Sequence, residues 1–174
     1  QKDRWQLVRE LEFFLKNSLH GRYARYAVIT SGQRVPFFGD LRRQRQSHIK
    51  NINRWSSEAR EKFSVEVIFR SDEATFRRSE VAGTGGVHLH SNVVFYPRRK
   101  LKKVDWSRFL EWSKQRLGGV VWRDCGVLRD VREVVKYVCK LSWGECGLSE
   151  SDVSDGQVGL DELTANELVW FHRE

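Results

Sequence analysis

Gly86-Val87-His88-Leu89-His90-Ser91-Asn92-Val93-Val94-Phe95-Tyr96 is the stretch that decides the fold. Branched and aromatic residues between a glycine pair and Pro97 predict a β-strand. Strand side chains alternate between faces, so His88 and His90 point the same way, about 7 Å apart along the strand at roughly 3.3 Å per residue. That spacing lets two imidazoles share one metal ion. Leu89 turns to the opposite face, toward a core.

On the N-terminal side, Ala82-Gly83-Thr84-Gly85-Gly86 lacks a following Lys-Ser/Thr and precedes a strand. It therefore predicts a hairpin connection and not a phosphate-binding Walker loop. Phe63, Val65, Val67 and Phe69 alternate with Ser64, Glu66, Ile68 and Arg70, the pattern of a half-buried strand. The polar run 71–80 predicts a loop with a strand end. On the C-terminal side, Arg98, Arg99, Lys100, Lys102 and Lys103 form a basic run suited to phosphates. Asp105 is positioned to cap a helix reaching about Leu117, with Trp106, Phe109, Leu110 and Leu117 inward and Gly118-Gly119 ending it.

Elsewhere, Trp5, Val8, Leu11, Phe14 and Leu15 mark a packing helix over 4–19, with His20 at its end in a structural role. Tyr26-Ala27-Val28-Ile29-Thr30 reads as a buried strand. Asp40 can cap a long helix to about Lys62 with Leu41, Ile49, Ile52, Trp55 and Ala59 inward and His48 at the core edge. Arg42, Arg43 and Arg45 in its first turns either hold phosphate or form a solvated face. Val120-Val121-Trp122 predicts another strand. Val131, Val134, Val135 and Val138 predict an amphipathic helix over 130–142, with Tyr137 at the stripe's rim and Lys140 beside it. One further helix is expected over Leu160 to Phe171. The fold class is α+β: a mostly antiparallel sheet of about five strands flanked by helices, with the histidine strand central.

At 174 residues one domain is the default. The boundaries expected are 1–143 for the main domain and 144–174 for an acidic linker and helix. No apolar run approaches the ~20 residues of a membrane span. The polar N-terminus does not resemble a signal peptide. The three cysteines are odd in number and form no CxxC, which argues against a disulfide framework and fits a reducing compartment. Residues 1–140 hold 30 of the 31 Lys/Arg and 15 of the 23 Asp/Glu, a net +15, whereas 141–174 hold 1 basic and 8 acidic residues, a net −7. The basic part suits a polyanion, most simply nucleic acid. The last helix has no stop signal, so the polypeptide is expected to continue past Glu174.

His88-Leu89-His90 on a strand, Tyr137-Val138-Cys139-Lys140 on a later helix and the earlier Thr-ended strand Tyr26–Thr30 occur in the order seen in one family. Over about residues 26–142 the chain resembles the HUH endonuclease superfamily, and within it the single-tyrosine rolling-circle replication initiators. The resemblance implies an RRM-like core and a divalent metal, Mn2+ or Mg2+, held by His88, His90 and Glu80, with Glu66 or Glu73 as alternatives to Glu80. It implies Tyr137 as the nucleophile that nicks and rejoins single-stranded origin DNA through a 5′-phosphotyrosine, and Lys140 as the group stabilising phenolate or phosphate. A helicase would act in trans or lie past Glu174. The compartment implied is the cytoplasm of a plasmid- or phage-bearing bacterium, or the nucleus for a eukaryotic virus. Other readings are a conjugative relaxase or single-tyrosine transposase of the same superfamily, a non-catalytic nucleic-acid-binding module, and a metal hydrolase using water.

Overall fold

The computed structural model describes residues 2–77, 85–118, 121–128, 157–158 and 163–173. Its elements are α1 (Lys2–Asn17), a 3-10 turn (Gly21–Tyr23), β1 (Arg25–Thr30), β2 (Val35–Pro36), α2 (Leu41–Phe63), β3 (Val65–Arg77), β4 (Gly86–Pro97), α3 (Lys103–Leu117), β5 (Val121–Val127), β6 (Gln157–Val158) and α4 (Ala165–Arg173). The fold is α+β. The sheet runs β5-β1-β4-β3-β6, with β2 also pairing to β4, and every described pairing is antiparallel. The histidine strand is its centre. Among the described residues no helix is long and apolar enough to cross a membrane.

The expected helix at Asp40 forms because the Asp40 carboxylate accepts the Arg43 backbone N–H at 2.8 Å, satisfying one orphan donor of the first turn. Ser64, at φ 54°, ends it. Phe63 and Ser64 therefore belong to the helix and its cap, and the strand starts at Val65. The alternation expected along β3 also breaks once. Val67 lies opposite Phe95 and Phe69 opposite Val94, so Ile68 is an extra, bulged residue. Phe69 thereby leaves the face of Val65 and Val67 and joins Val94 and Tyr96 beside α1. The polar run after Arg70, expected as a loop, continues as strand to Arg77. α3 starts at Lys103, with Lys102 in the cap position; Asp105 is not the cap but sits in the first turn, where its charge suits the helix dipole.

The two sheet faces are covered differently. Ala27, Ile29, Val93 and Phe95 pack against Ile52, Trp55, Phe109 and Leu117 of α2 and α3. At its centre the fully buried Trp55 donates its indole N–H to Ser113 Oγ at 3.1 Å. A second cluster joins Val35, Leu41, Phe76, Val87 and Leu89 to Leu163, with Leu168, Trp170 and Phe171 of α4 packed on it. α4 starts later than expected because Thr164 and Glu167 form a capping box: Thr164 N–H donates to Glu167 Oε2 at 2.7 Å and Glu167 N–H to Thr164 Oγ1 at 3.3 Å. The other face carries α1 only toward the Tyr96 end, through Phe14 and Leu15.

Candidate functional site

His88, His90 and Asn92 project from one face of β4, away from α2 and α3 and beyond the cover of α1. Both histidines are half-buried, with ring centroids 6.0 Å apart and planes 52° to each other. Thr30, paired with His90 across the β1 ladder, bonds its Nδ1 through Oγ1 at 2.9 Å. From β3, Thr75 Oγ1 bonds His90 Nε2 at 2.8 Å. Arg34 Nε donates to His88 Nε2 at 3.1 Å. Arg34 reaches that position because β2 pairs with the start of β4, Val35 opposite Val87 and Pro36 opposite Gly86. A Cβ on Gly86 would lie 2.2 Å from the Val35 carbonyl oxygen, so only glycine admits this approach.

Glu73 pairs with His90 across the β3–β4 ladder and accepts from Asn92 Nδ2 at 3.2 Å. Tyr26 donates its hydroxyl to the Oδ1 of the same Asn92. Glu66 is on the same sheet face but opposite Tyr96, whose hydroxyl donates to it at 2.6 Å; Arg98 pairs with its other oxygen. Tyr96 lies six positions along β4 from His90, about 20 Å at roughly 3.3 Å per residue. Glu66 therefore cannot join the two histidines on one ion, and Arg98 of the basic run is committed to that distant pair. Glu80, Tyr137 and Lys140 lie outside the described residues, as does the helix expected over 130–142. No family model, curated protein or solved structure matches the chain.

The electrostatics favour neutral imidazoles. Burial, then the repulsion of Arg34 and Arg77, holds His88 below the usual histidine range. Burial, then His88 and His48, pushes His90 down to about 4. Neutral imidazole is the form that coordinates a metal. Chemically the donor set fits a divalent ion of the Mn2+ type: two neutral nitrogens plus a carboxylate on the same face. Geometrically it is partial. Both Nε2 atoms are engaged, by Arg34 and Thr75, and among the described residues no group of three His, Cys, Asp or Glu is arranged to hold a metal. Loading an ion requires Arg34 to withdraw from His88, Thr75 to release His90 Nε2 and Glu73 to turn from Asn92.

On the opposite face, beneath His90, His48 bonds Ser91 Oγ at 3.0 Å, and Ser91 donates to Asp72. His48, expected at the core edge, is buried in this polar relay, and burial is the main reason its pKa is lowered. His20, expected in a structural role, stacks on Tyr96 with ring centroids 5.4 Å apart. Arg34, Thr75 and Asn92 were not singled out by the sequence. Only the register between β2, β3 and β4 reveals them, although Thr30 carried a signal as the polar end of an apolar strand.

Proposed function

We propose that the chain is a metal-dependent endonuclease and strand transferase that nicks and rejoins single-stranded DNA at a replication origin. What carries this reading is the His88/His90 pair, held neutral on the open face of the central strand with Glu73 across the ladder. Connectivity adds support. β5 and β6, the described strands on either side of Tyr137 and Lys140 in the sequence, lie at opposite edges of the sheet with β4 between them.

His88 and His90 would hold the ion, with Glu73 or Glu80 as the acidic ligand. When bound, the ion polarises the non-bridging oxygens of the scissile phosphate. The Tyr137 oxygen would attack phosphorus as the phenol gives up its proton, the bond from phosphorus to the 3′ oxygen would break, the phosphate would stay on tyrosine, and the leaving 3′ oxygen would take up a proton to become the 3′-hydroxyl. Lys140 stabilises the phenolate of a group whose ordinary pKa is about 10. Thr30 orients the His90 ring through Nδ1, and Thr75 would give up Nε2 to the ion. The test is a covalent adduct with single-stranded origin oligonucleotides in Mn2+, resistant to denaturant and lost in Tyr137→Phe. No adduct with any origin strand sinks the proposal.

A second reading has its own observation. Every described bond to the two rings is of a kind that a purely structural pair also makes, which fits a nucleic-acid-binding module without catalysis. It requires salt-dependent binding that is indifferent to metal, and no cleavage.

A further inference from the structure

We propose that α2 is a duplex-reading helix: its exposed face enters the major groove of double-stranded DNA while the loop Ser31–Gln33 rests on the phosphate backbone. The inference rests on the nucleic-acid reading above but concerns a different surface, on the other side of the sheet from the histidine pair.

α2 has 23 residues, about 34 Å at 1.5 Å each. Its buried side chains, Leu41, His48, Ile52, Trp55 and Ala59, form a narrow inner stripe, so most of its circumference faces solvent. Between Asp40 and Glu58 the helix has no acidic residue. Its exposed positions there include the cations Arg42, Arg43, Arg45, Lys50 and Arg54. Arg43, Arg45 and Lys50 make no side-chain hydrogen bond or ion pair with a described residue. Between the cations stand the exposed Gln44, Gln46, Ser47 and Asn53. Arginine, glutamine and asparagine are the side chains whose donor and acceptor pairs match base edges in the major groove, which is about 12 Å wide and admits one helix.

A groove of about 570 Å³ runs beside this face. Ser31, Gly32 and Gln33 form one wall, and Ser47, Lys50 and Arg54 part of the other. Its described lining contains no carboxylate, and its one aromatic ring is the imidazole of His48, which is buried and bonded to Ser91 and so offers no stacking face. Single-strand sites combine a basic groove with aromatic stacking platforms; a convex helix face that exposes no aromatic ring between Arg42 and Arg54, with a polar flanking loop, suits a paired helix instead.

The test is fluorescence anisotropy on a labelled random-sequence duplex pool of roughly 30 base pairs, three helical turns, and on the same pool single-stranded, without divalent metal. R43Q/K50Q/R54Q should weaken duplex binding at least about tenfold and flatten its log–log salt dependence by about 2 to 3. Single-strand affinity should change less than about twofold. The charge-matched R9Q/K16Q/K114Q, at exposed sites on α1 and α3, sets the baseline. The proposal is overturned if duplex affinity falls no further than in that baseline, or if single-strand affinity falls equally. Should the triple variant not fold, K50Q alone decides through a slope change of about 1. Nicking is not read, so an inactive enzyme with duplex selectivity upholds the helix and counts only against the proposed chemistry.

Discussion

Glu73 faces His90 across the β3–β4 ladder, on the same side of the sheet, because Ile68 adds one residue to β3. Without that bulge the odd-numbered positions after Val67 would stay on the α2 face and Glu73 would point into the packed layer. We therefore expect Glu73→Gln to weaken Mn2+ binding and nicking by about tenfold or more. Glu66→Gln should leave both within about twofold and cost about 1 kcal/mol of stability by weakening the Tyr96 hydroxyl's hydrogen bond. Isothermal titration with Mn2+ and denaturant melts on both variants decide this; equal loss of Mn2+ affinity in both defeats the assignment.

Arg34 competes with any ion for His88 Nε2. Arg34→Gln removes a cation that must move aside, so Mn2+ affinity should rise severalfold, about 1 kcal/mol at a partly solvated site. Titration of the variant against wild type checks it. Unchanged or weaker binding would mean that the arginine does not guard the imidazole.

The histidines make stability depend on pH. A folded-state pKa near 4 for His90 lies below the ordinary 6.5, so the unfolded chain binds the proton first as pH falls. Stability is full above about pH 6.5 and declines toward pH 4, by up to about 3 kcal/mol from His90, with His48 and His88 acting in the same direction. Urea midpoints should fall between pH 7 and 5 in wild type and fall less in His90→Gln. Parallel profiles would contradict the lowered pKa.

Ser113 is fully buried, and its hydroxyl receives the Trp55 indole N–H in the centre of the larger core. Ser113→Ala removes that buried acceptor and should cost about 1–3 kcal/mol. Gly86→Ala forces a methyl group onto the Val35 carbonyl and should separate β2 from β4, loosening Arg34 from His88. Equilibrium unfolding of the first, and amide exchange of Val35 and Val87 in the second, measure these effects.

Much of this was legible in the chain. Asp40 announced its helix because a carboxylate cap is a local device, needing only the next turn. Val87 to Tyr96 announced β4 because branched and aromatic residues sit between punctuating Gly and Pro. Three features were not legible, for one physical reason: each depends on pairing between distant segments. The bulge at Ile68 looks like ordinary alternation until Phe95 and Val94 are laid opposite. Ser71 to Thr75 resembles a loop because Glu73 and Thr75 bond Asn92 and His90 on one face and Asp72 bonds Ser91 on the other, partners that lie on another strand. Arg34 sits 54 residues from the ring it touches.

The two hydrophobic clusters share no residue, and α4 belongs only to the smaller one. α4 is tied there by Trp170, which donates to the Gly39 carbonyl at 3.1 Å, and by Phe171 against Phe76. A helix held by its own satellite cluster can open as a separate cooperative unit while Trp55 and Phe95 stay packed. Such sub-global opening would bare Leu41 and Leu89, which flank His48 and His90 in a cavity of about 260 Å³. Native-state hydrogen exchange would then resolve two free energies, the lower one spanning Leu168 to Phe171.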